Sequence, residues 1–471
     1  MIGQLKAQSS FIYNQFSKED DFATDAIQLA DSSYIILCAT LDTTIYKFKP
    51  FVIYLDKFGN FVNTKQLEHS VSGSLFLTKI AKDNAGDFYI TGNGSYDTSI
   101  YRNYIYLSKY DSNFDTLWTK LFFHPDTSHF CVNHYYDGTN FYLACDTRYD
   151  SGPSFNYRTI VSFSTAGNLL NTYKIDSAGY GYSININKKG AIQYSVLLWQ
   201  NTGQGSLLDF SSTLNFVDSC STNFNAIEME AVSINKSTYV VFDEPIFQGN
   251  NYTAMGAAII DSNCQSIKNI KLGTFNIDER VAYFHGLDTI SSNRIIVGST
   301  LGFSYGGTFY VPKQSQFHIA MLDDSLNIIW DKKVGDDAYH VLTRIMPTMD
   351  GGVLAIGFRY DYLNVFPSPN RDVIVMKFDS LGNITGYNEI DNSIQNQISI
   401  YPNPANTEVT IYSNINEEAE VIIYSIKGQL IEKKTLHGTI KVDVSNYNNG
   451  IYYCTVETSK QRYQKKFVIA H

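Results

Sequence analysis

Leu322-Asp323-Asp324-Ser325-Leu326-Asn327 and Phe378-Asp379-Ser380-Leu381-Gly382-Asn383 are two copies of one phrase. Each closes a run of β-forming residues on Asp, turns through a short polar segment and resumes with another apolar run. The phrase also opens at Asp56, Asp111, Ser164, Ser211 and Asp261, so it occurs seven times, at spacings of 55, 53, 47, 50, 62 and 56 residues. Asp or Ser can bond its own backbone two residues on, and Gly or Asn accepts the positive φ that a tight hairpin turn requires. The flanks alternate as half-buried strands do, as in Val373-Ile374-Val375-Met376-Lys377-Phe378. Trp118 and Trp330 each lie seven residues beyond their anchors, Asp111 and Asp323, which puts those repeats in a common register.

A second hairpin precedes each phrase, for example 27–39 around Asp31-Ser32-Ser33, 76–92 around Asn84-Ala85-Gly86-Asp87, and 345–357 around Asp350-Gly351-Gly352. The unit is therefore strand, tight turn, strand, variable loop, strand, tight turn, strand. Four antiparallel strands per roughly 50 residues make one blade of a β-propeller, and seven phrases predict seven blades. A string of β-sandwiches fits less well, because each unit is too short to bury a core of its own. Closing the ring needs one more outer strand. Ser10–Phe16 and Gly386–Ile390 compete to supply it. This organisation resembles the secreted bacterial β-propellers built from degenerate repeats of about 50 residues, a likeness that carries fold and not function.

Near residue 391 the pattern changes. Residues 1–8 are read as a residual leader tail or disordered, 9–390 as the propeller, 391–397 as a polar linker and 398–471 as a small Ig-like β-sandwich. The last segment carries Tyr401-Pro402-Asn403-Pro404, a strand–Lys427-Gly428–strand unit, Asn449-Gly450-Ile451-Tyr452 and a terminal Lys465-Lys466-Phe467-Val468-Ile469. In that order and spacing these elements closely resemble the type A sorting domain of the type IX secretion system of Bacteroidetes. The resemblance implies export through the Sec pathway and passage over the outer membrane. It implies as partners the translocon and a sortase-like peptidase that removes the domain, leaving the protein secreted or attached to the surface. The final residue, His471, departs from the Lys or Arg common in that family. Such an address requires a Sec signal, and Leu5-Lys6-Ala7-Gln8 reads as the tail of one, so the signal is expected upstream of Met1.

Composition narrows the function classes. The 471 residues include 35 Tyr, 30 Phe and 3 Trp, while charged residues are 17%, against an average of about 25%. Lys+Arg minus Asp+Glu is 36 − 46 = −10, which argues against a nucleic-acid partner. No run approaches the roughly 18 apolar residues of a membrane-spanning helix. The six cysteines have no metal-ligand spacing. Cys131 and Cys145 flank the turn at Asp137-Gly138, either as a cross-strand disulfide or as two buried thiols.

Chemistry-bearing motifs are few. Gly302-Phe303-Ser304-Tyr305-Gly306 matches the serine-hydrolase elbow, yet no helix can follow it, as that motif requires. His124, His129, Cys131 and His134 cluster in sequence, but strict alternation turns His134 to the face opposite His129 and Cys131. The Asp-rich turns lack the calcium ladder. No phosphate loop, zincin helix or dinucleotide fingerprint is present, so neither a metal nor a cofactor is expected.

Aromatics and arginines instead gather in the loops between second and third strands, all on one face of a propeller. These are Tyr96, Tyr101 and Tyr104; Arg148, Tyr149, Tyr157 and Arg158; Tyr252; Phe303, Tyr305 and Tyr310; and Arg359, Tyr360, Tyr362, Phe366 and Arg371. Such residues supply broad contact area with polar tips. Tyr101, Arg148, Tyr149, Tyr305, Arg359 and Tyr360 are the candidate binding residues. The expected function is a secreted or surface-displayed module that binds glycans or proteins. Two alternatives remain: a glycoside hydrolase or lyase with its site at the channel mouth, and a structural surface protein.

Overall fold

The computed structural model describes residues 10–15, 19–45, 47–67, 73–95, 103–123, 127–149, 157–175, 184–189, 193–199, 204–225, 229–234, 237–246, 252–304, 313–335, 337–363, 371–384, 398–413, 419–425, 429–457 and 462–471. Its described secondary structure is all β, and it divides into two compact units, Met1–Tyr387 and Asn388–His471.

Seven antiparallel sheets make up the first unit. Blades 1 to 6 span 20–66, 74–122, 127–175, 184–225, 229–271 and 279–334, each with its strands in sequence order from the innermost outwards. Blade 7 takes three strands from 339–378 and its outermost strand, Phe11–Gln15, from the start of the chain. Phe11 stands opposite Lys377 and Gln15 opposite Val373. The N-terminal strand therefore closes the ring; its rival at 386–390 lies outside the described residues. In blade 6 the innermost position is split: Glu279–Val281 and Leu287–Ser291 both pair with Arg294–Leu301, and 282–286 bulges between them.

The apolar interior lies in the seams between blades. Seven separate clusters of buried side chains each join two adjacent blades. One holds Ile36 and Ile53 of blade 1 with Leu354 and Val375 of blade 7. Another holds Phe317 and Met321 of blade 6 with Leu342 and Ile374 of blade 7. A strand buried on both faces makes such a seam on each side, which explains the near-continuous apolar runs.

Six of the phrases form the turn between third and fourth strands, the seventh forms the turn that follows the third strand of blade 7, and all are built alike. The anchor side chain accepts backbone N–H groups: Asp323 Oδ1 from Ser325 at 2.9 Å and Asn327 at 2.7 Å, and Asp379 Oδ1 from Leu381 and Asn383, both at 2.8 Å. Ser211 Oγ does the same more loosely, at 3.3 and 3.1 Å. The residue three after the anchor is left-handed every time: Gly59 (φ 81°), Phe114 (58°), Gly167 (75°), Leu214 (59°), Cys264 (60°), Leu326 (57°) and Gly382 (79°).

That fourth position decides how the seam is filled. Phe114, Leu214, Cys264 and Leu326 are buried there. Where the residue is Gly, the preceding outer strand supplies a ring instead. A Cβ on Gly382 would lie 2.8 Å from the Trp330 ring, on Gly167 2.9 Å from Trp118, and on Gly59 2.2 Å from Phe11. The shared register of the two tryptophans thus has a physical cause, since each fills the slot opened by the next blade's glycine.

Four cysteines are paired. Cys131 and Cys145 stand opposite each other on adjacent strands and are bonded, so the free-thiol alternative does not hold for them. Cys220–Cys264, which spacing alone did not suggest, links the outermost strand of blade 4 to the turn of blade 5. Cys38 and Cys454 are buried thiols.

The second unit packs a three-stranded sheet (Ile398–Tyr401, Glu408–Ser413, Thr439–Asp443) with a four-stranded one ordered Leu430–Leu436, Ala419–Ser425, Gly450–Glu457, Arg462–Ile469. Val409, Ile411, Val421, Ile423, Cys454 and Phe467 lie in its core.

Candidate functional site

The innermost strands carry a ring of polar side chains that strand alternation does not reveal. Asp25, Lys79 and Asn133 recur 54 residues apart (79 − 25 and 133 − 79), and Arg344 holds the same place in blade 7. Each immediately follows a register shift, between Ala23 and Asp25, Leu77 and Lys79, Cys131 and Asn133, and Leu342 and Arg344. A bulge re-aims the next side chain, and here that side chain reaches a neighbouring blade. Asp25 accepts Ile80 N–H at 2.8 Å and pairs with Arg344 at 2.7 Å and Lys79 at 3.4 Å. Asn133 Oδ1 accepts Ile186 N–H at 3.3 Å. Glu230 Oε2 accepts Gly286 and Leu287 N–H, and Glu230 Oε1 pairs with His285.

This arrangement is a clasp around the axis. Burial and the nearby Arg344 push Lys79 down. Burial alone would lower His285, but Glu230 and Asp288 hold it above the ordinary imidazole value. The same bulge corrects the expectation for His134: the shift at Val132 moves it to the face of Cys131. There Thr78 and Thr91 of blade 2 bracket it, and burial pushes it down to about 3. With Cys131 in a disulfide and His129 on Thr147, these residues do not converge as a ligand set; His124 lies outside the described residues.

Aromatic rings close the channel beside this layer. Phe358, Phe22, Phe76 and Phe284 form a chain of contacts at 6.2, 5.7 and 6.1 Å, and the last joins blades 2 and 6, which are not neighbours. A glycosidase would need one carboxyl kept protonated near neutral pH. Asp288 is instead held below the usual carboxylate range, its histidine bond outweighing burial. Inside blade 6, Glu279 and Asp331 flank His318, with Nε2 to Asp331 at 2.7 Å. Burial would lower His318, but the two carboxylates raise it to about 9. Ser299 donates to Glu279 rather than to the histidine, so this is a buried ion pair without an activated nucleophile. Ser304 offers its backbone N–H to Tyr339 Oη at 3.2 Å; the rest of that loop, through residue 312, lies outside the described residues.

The sequence candidates on the upper face, which carries the second-to-third loops and the connections between blades, meet different fates. Tyr96, Tyr101, Tyr305, Tyr310 and Phe366 lie outside the described residues. Arg148 and Tyr149 end the strand Asn140–Tyr149, and their side chains are likewise outside the description. Arg359 pairs with Asp337 at 2.9 Å. Tyr360 is 1% exposed and packs on Tyr339 at 5.1 Å, and Tyr104 is buried. Arg158 is buried against Asp146, while Arg371 pairs with Asp20 and covers Phe22 at 4.8 Å.

Two groups of exposed rings lie elsewhere, around blade 6: one at its border with blade 5, the other at the 282–286 bulge, where Tyr283 N–H bonds Leu342 O of blade 7. Phe275 is 78% exposed with Tyr252 at 5.6 Å, and Tyr283 is 57% exposed. The Arg280 guanidinium lies between Tyr283 at 4.7 Å and Phe303 at 4.9 Å. Of these, sequence reasoning had Tyr252 and Phe303. It missed Phe275, Arg280 and Tyr283 because it considered only second-to-third loops; Phe275 lies on the connection into blade 6, Arg280 on the strand Glu279–Val281 and Tyr283 in the bulge after it.

In the second unit the motif residues converge on the last strand. Asn403 Oδ1 accepts Val468 N–H at 2.8 Å, Ala405 N–H reaches Val468 O at 2.8 Å, and Ala470 N–H returns to Ala405 O at 2.9 Å. Gly450 stands opposite Ile469, and the buried Tyr452 ring lies 5.8 Å from Phe467. His471 Nε2 meets Tyr447 O at 2.7 Å. Tyr401, Pro402, Pro404, Lys465 and Lys466 are exposed, and Gly428 lies outside the described residues.

Residues 399–470 match the secretion system C-terminal sorting domain family. The protein thus carries a type IX sorting tail, which directs it to the cell surface or the medium, on a β-propeller. No curated protein matches the chain. Similar solved structures include the β-propeller domain of the Trilobed protease from Pyrococcus furiosus, described as having an open velcro topology. It is 9% identical with TM-score 0.43, over 79% of this chain and 98% of that one. The phage phi92 endosialidase is 7% identical with TM-score 0.42, over 91% and 74%. A puromycin hydrolase S511A mutant is 11% identical with TM-score 0.45, over 84% and 59%. At these identities the likeness concerns fold alone. No described helix is long and apolar enough to cross a membrane.

Proposed function

We propose that the exported propeller is a binding or adhesion module whose ligand is a glycan or protein outside the cell. Its contact surface is the upper face around blade 6. The supporting observations are the exposed Phe275 against Tyr252 and the exposed Tyr283 beside the ring-clamped Arg280. Rings held rigid next to a cation give contact area at small entropic cost. Tyr101 of blade 2, Arg148 and Tyr149 of blade 3 and Tyr305 of blade 6 belong to the same proposal, and Arg359 acts by fixing Asp337. The sorting tail engages the translocon and is removed by a sortase-like peptidase.

A thermal-shift and array screen of the full chain against glycans and surface proteins tests the reading. A ligand at 100 times its Kd adds about 2.7 kcal/mol to stability. The expected result is a ligand whose shift disappears in Phe275→Ala and Tyr283→Ala while the melting temperature without ligand holds. A ligand whose binding survives both changes would place the surface elsewhere. A glycan consumed during the assay would replace binding with hydrolysis.

A further inference from the structure

We infer that Cys220 and Cys264 are a site of thiol oxidation, closed after export, that latches blade 4 to blade 5. The inference rests on the export route and is independent of the upper-face ligand.

The left-handed turn residue fills an inter-blade slot in every blade. Phe114, Leu214 and Leu326 do so with apolar side chains, and Gly59, Gly167 and Gly382 admit a neighbour's ring. Only the blade 5 turn among the seven phrases carries a thiol there, Cys264, and the preceding outer strand places Cys220 against it. The hydrogen bonds described across this seam, Gln265 Nε2 to Ser221 O at 3.4 Å and Ser266 N–H to Asn223 Oδ1 at 3.0 Å, sit at the outer rim beside the bridge. In a reduced chain the slot holds one small thiol where blades 4 and 6 hold leucine. The bridge closes a segment 44 residues apart in sequence. That segment contains the blade 5 strands Met229–Ile234, Ser237–Ile246 and Tyr252–Ile260. Cys131–Cys145, by contrast, ties two strands already paired within blade 3.

The chain is made where thiols stay reduced and is sent where disulfides persist. A protein disulfide of a thiol oxidoreductase in the receiving compartment is the oxidant. One thiolate attacks it to give a mixed disulfide, and the second displaces that partner. One S–S bond forms in the protein and the oxidant's S–S bond breaks; the two electrons and the two thiol protons, exchanged through solvent, end on the oxidant, which leaves as its dithiol.

Hydrogen exchange read by mass spectrometry on the full chain, oxidised and after dithiothreitol, tests this. Reduction is expected to raise exchange about tenfold or more in 216–225 and 252–271, leaving blades 1 and 2 unchanged. Cys220→Ser/Cys264→Ser should show the same pattern without reductant. Should that variant not fold, reduction of the folded wild-type chain carries the test. Cys220→Ala/Cys264→Leu, with the leucine that serves blades 4 and 6, should not respond to dithiothreitol at this seam. Unchanged exchange on reduction, an equal rise at every seam, or free thiols at both positions in protein recovered from the medium would each overturn the proposal.

Discussion

The two faces of the propeller were built under different rules. On the lower face the same turn recurs seven times, each capped by its own Asp or Ser and each with a left-handed fourth residue. On the upper face the second-to-third loops run from four residues in blade 1 (43–46) to 14 in blade 6 (302–315). The lower face is where blades lock to one another, so its chemistry must repeat with the ring. The upper face also joins neighbouring blades, as where Phe48 N–H reaches Ser74 Oγ and Asn103 N–H reaches Ser128 Oγ, but its loops differ in length and sequence, and the exposed aromatic and arginine residues lie there. A repeat read from sequence therefore points to the scaffold, and departures from it point to the contact surface.

The largest expected effect tests whether the seam slot is one site filled from either side. Trp330→Ala should cost about 3–5 kcal/mol, as for other large-to-small core changes. Gly382→Leu should cost about 2–4 kcal/mol, from overpacking against the Trp330 ring and a left-handed backbone. The double variant, which moves the apolar group from the strand to the turn as in blade 6, should be at least about 1 kcal/mol more stable than the sum. Denaturant unfolding of the four proteins completes the cycle. Additive losses would mean that the glycine and the ring are unrelated, and the lower face would lose its unifying rule.

That rule was legible because turn chemistry is local. An Asp that must cap amides two and four residues on, and a position that must take positive φ, leave their mark at fixed spacing. The N-terminal outer strand was legible as a candidate only, since 11–15 and 386–390 look alike as strands. The axial clasp was not. Asp25, Lys79 and Arg344 are presented by bulges, and a bulge shifts the face of the following residue without changing the composition around it. His134 was assigned to the wrong face for this reason. The upper contact residues were half legible: Tyr252 and Phe303 were in view, but Arg280 and Tyr283 sit on the split innermost strand of blade 6 and the bulge after it, which a reading of second-to-third loops passes over.

A smaller effect separates blade 6 from the rest. His318, raised to about 9, binds its proton more tightly folded than unfolded. Its contribution is full below the unfolded value of about 6.5 and is lost as pH rises through about 9. Glu279 and Asp331, held low, contribute above their unfolded values of about 4 and lose that stability as pH falls. Unfolding free energy should therefore decline from pH 6.5 to 9, and His318→Asn should flatten that slope while lowering stability throughout. A variant with the wild-type slope would show that the pH dependence comes from outside blade 6.

The turn cap is next in size. Asp323→Ala removes the acceptor for Ser325 and Asn327 N–H, both at an exposed turn where water replaces the lost bonds. A loss of about 1 kcal/mol is expected. The same change at Ser211, whose bonds are longer at 3.3 and 3.1 Å, should cost less. If Ser211→Ala proved the costlier, the anchor would act through packing rather than capping.

The smallest effect on stability belongs to the upper face, and there smallness is the point. Phe275 and Tyr283 are mostly exposed and contribute little to any seam, so replacing either by Ala should leave unfolding within about 0.5 kcal/mol of wild type. Tyr360→Ala, on blade 7 and buried against Tyr339, should cost about 3–5 kcal/mol as a core truncation. Aromatic residues of one face thus separate by an order of magnitude in stability. A chain that keeps its fold but loses its ligand on Phe275→Ala would show that the upper face is maintained for contact. Should Phe275→Ala instead destabilise the propeller as much as Tyr360→Ala, the exposed rings would be part of the scaffold, and the division between the two faces would fail.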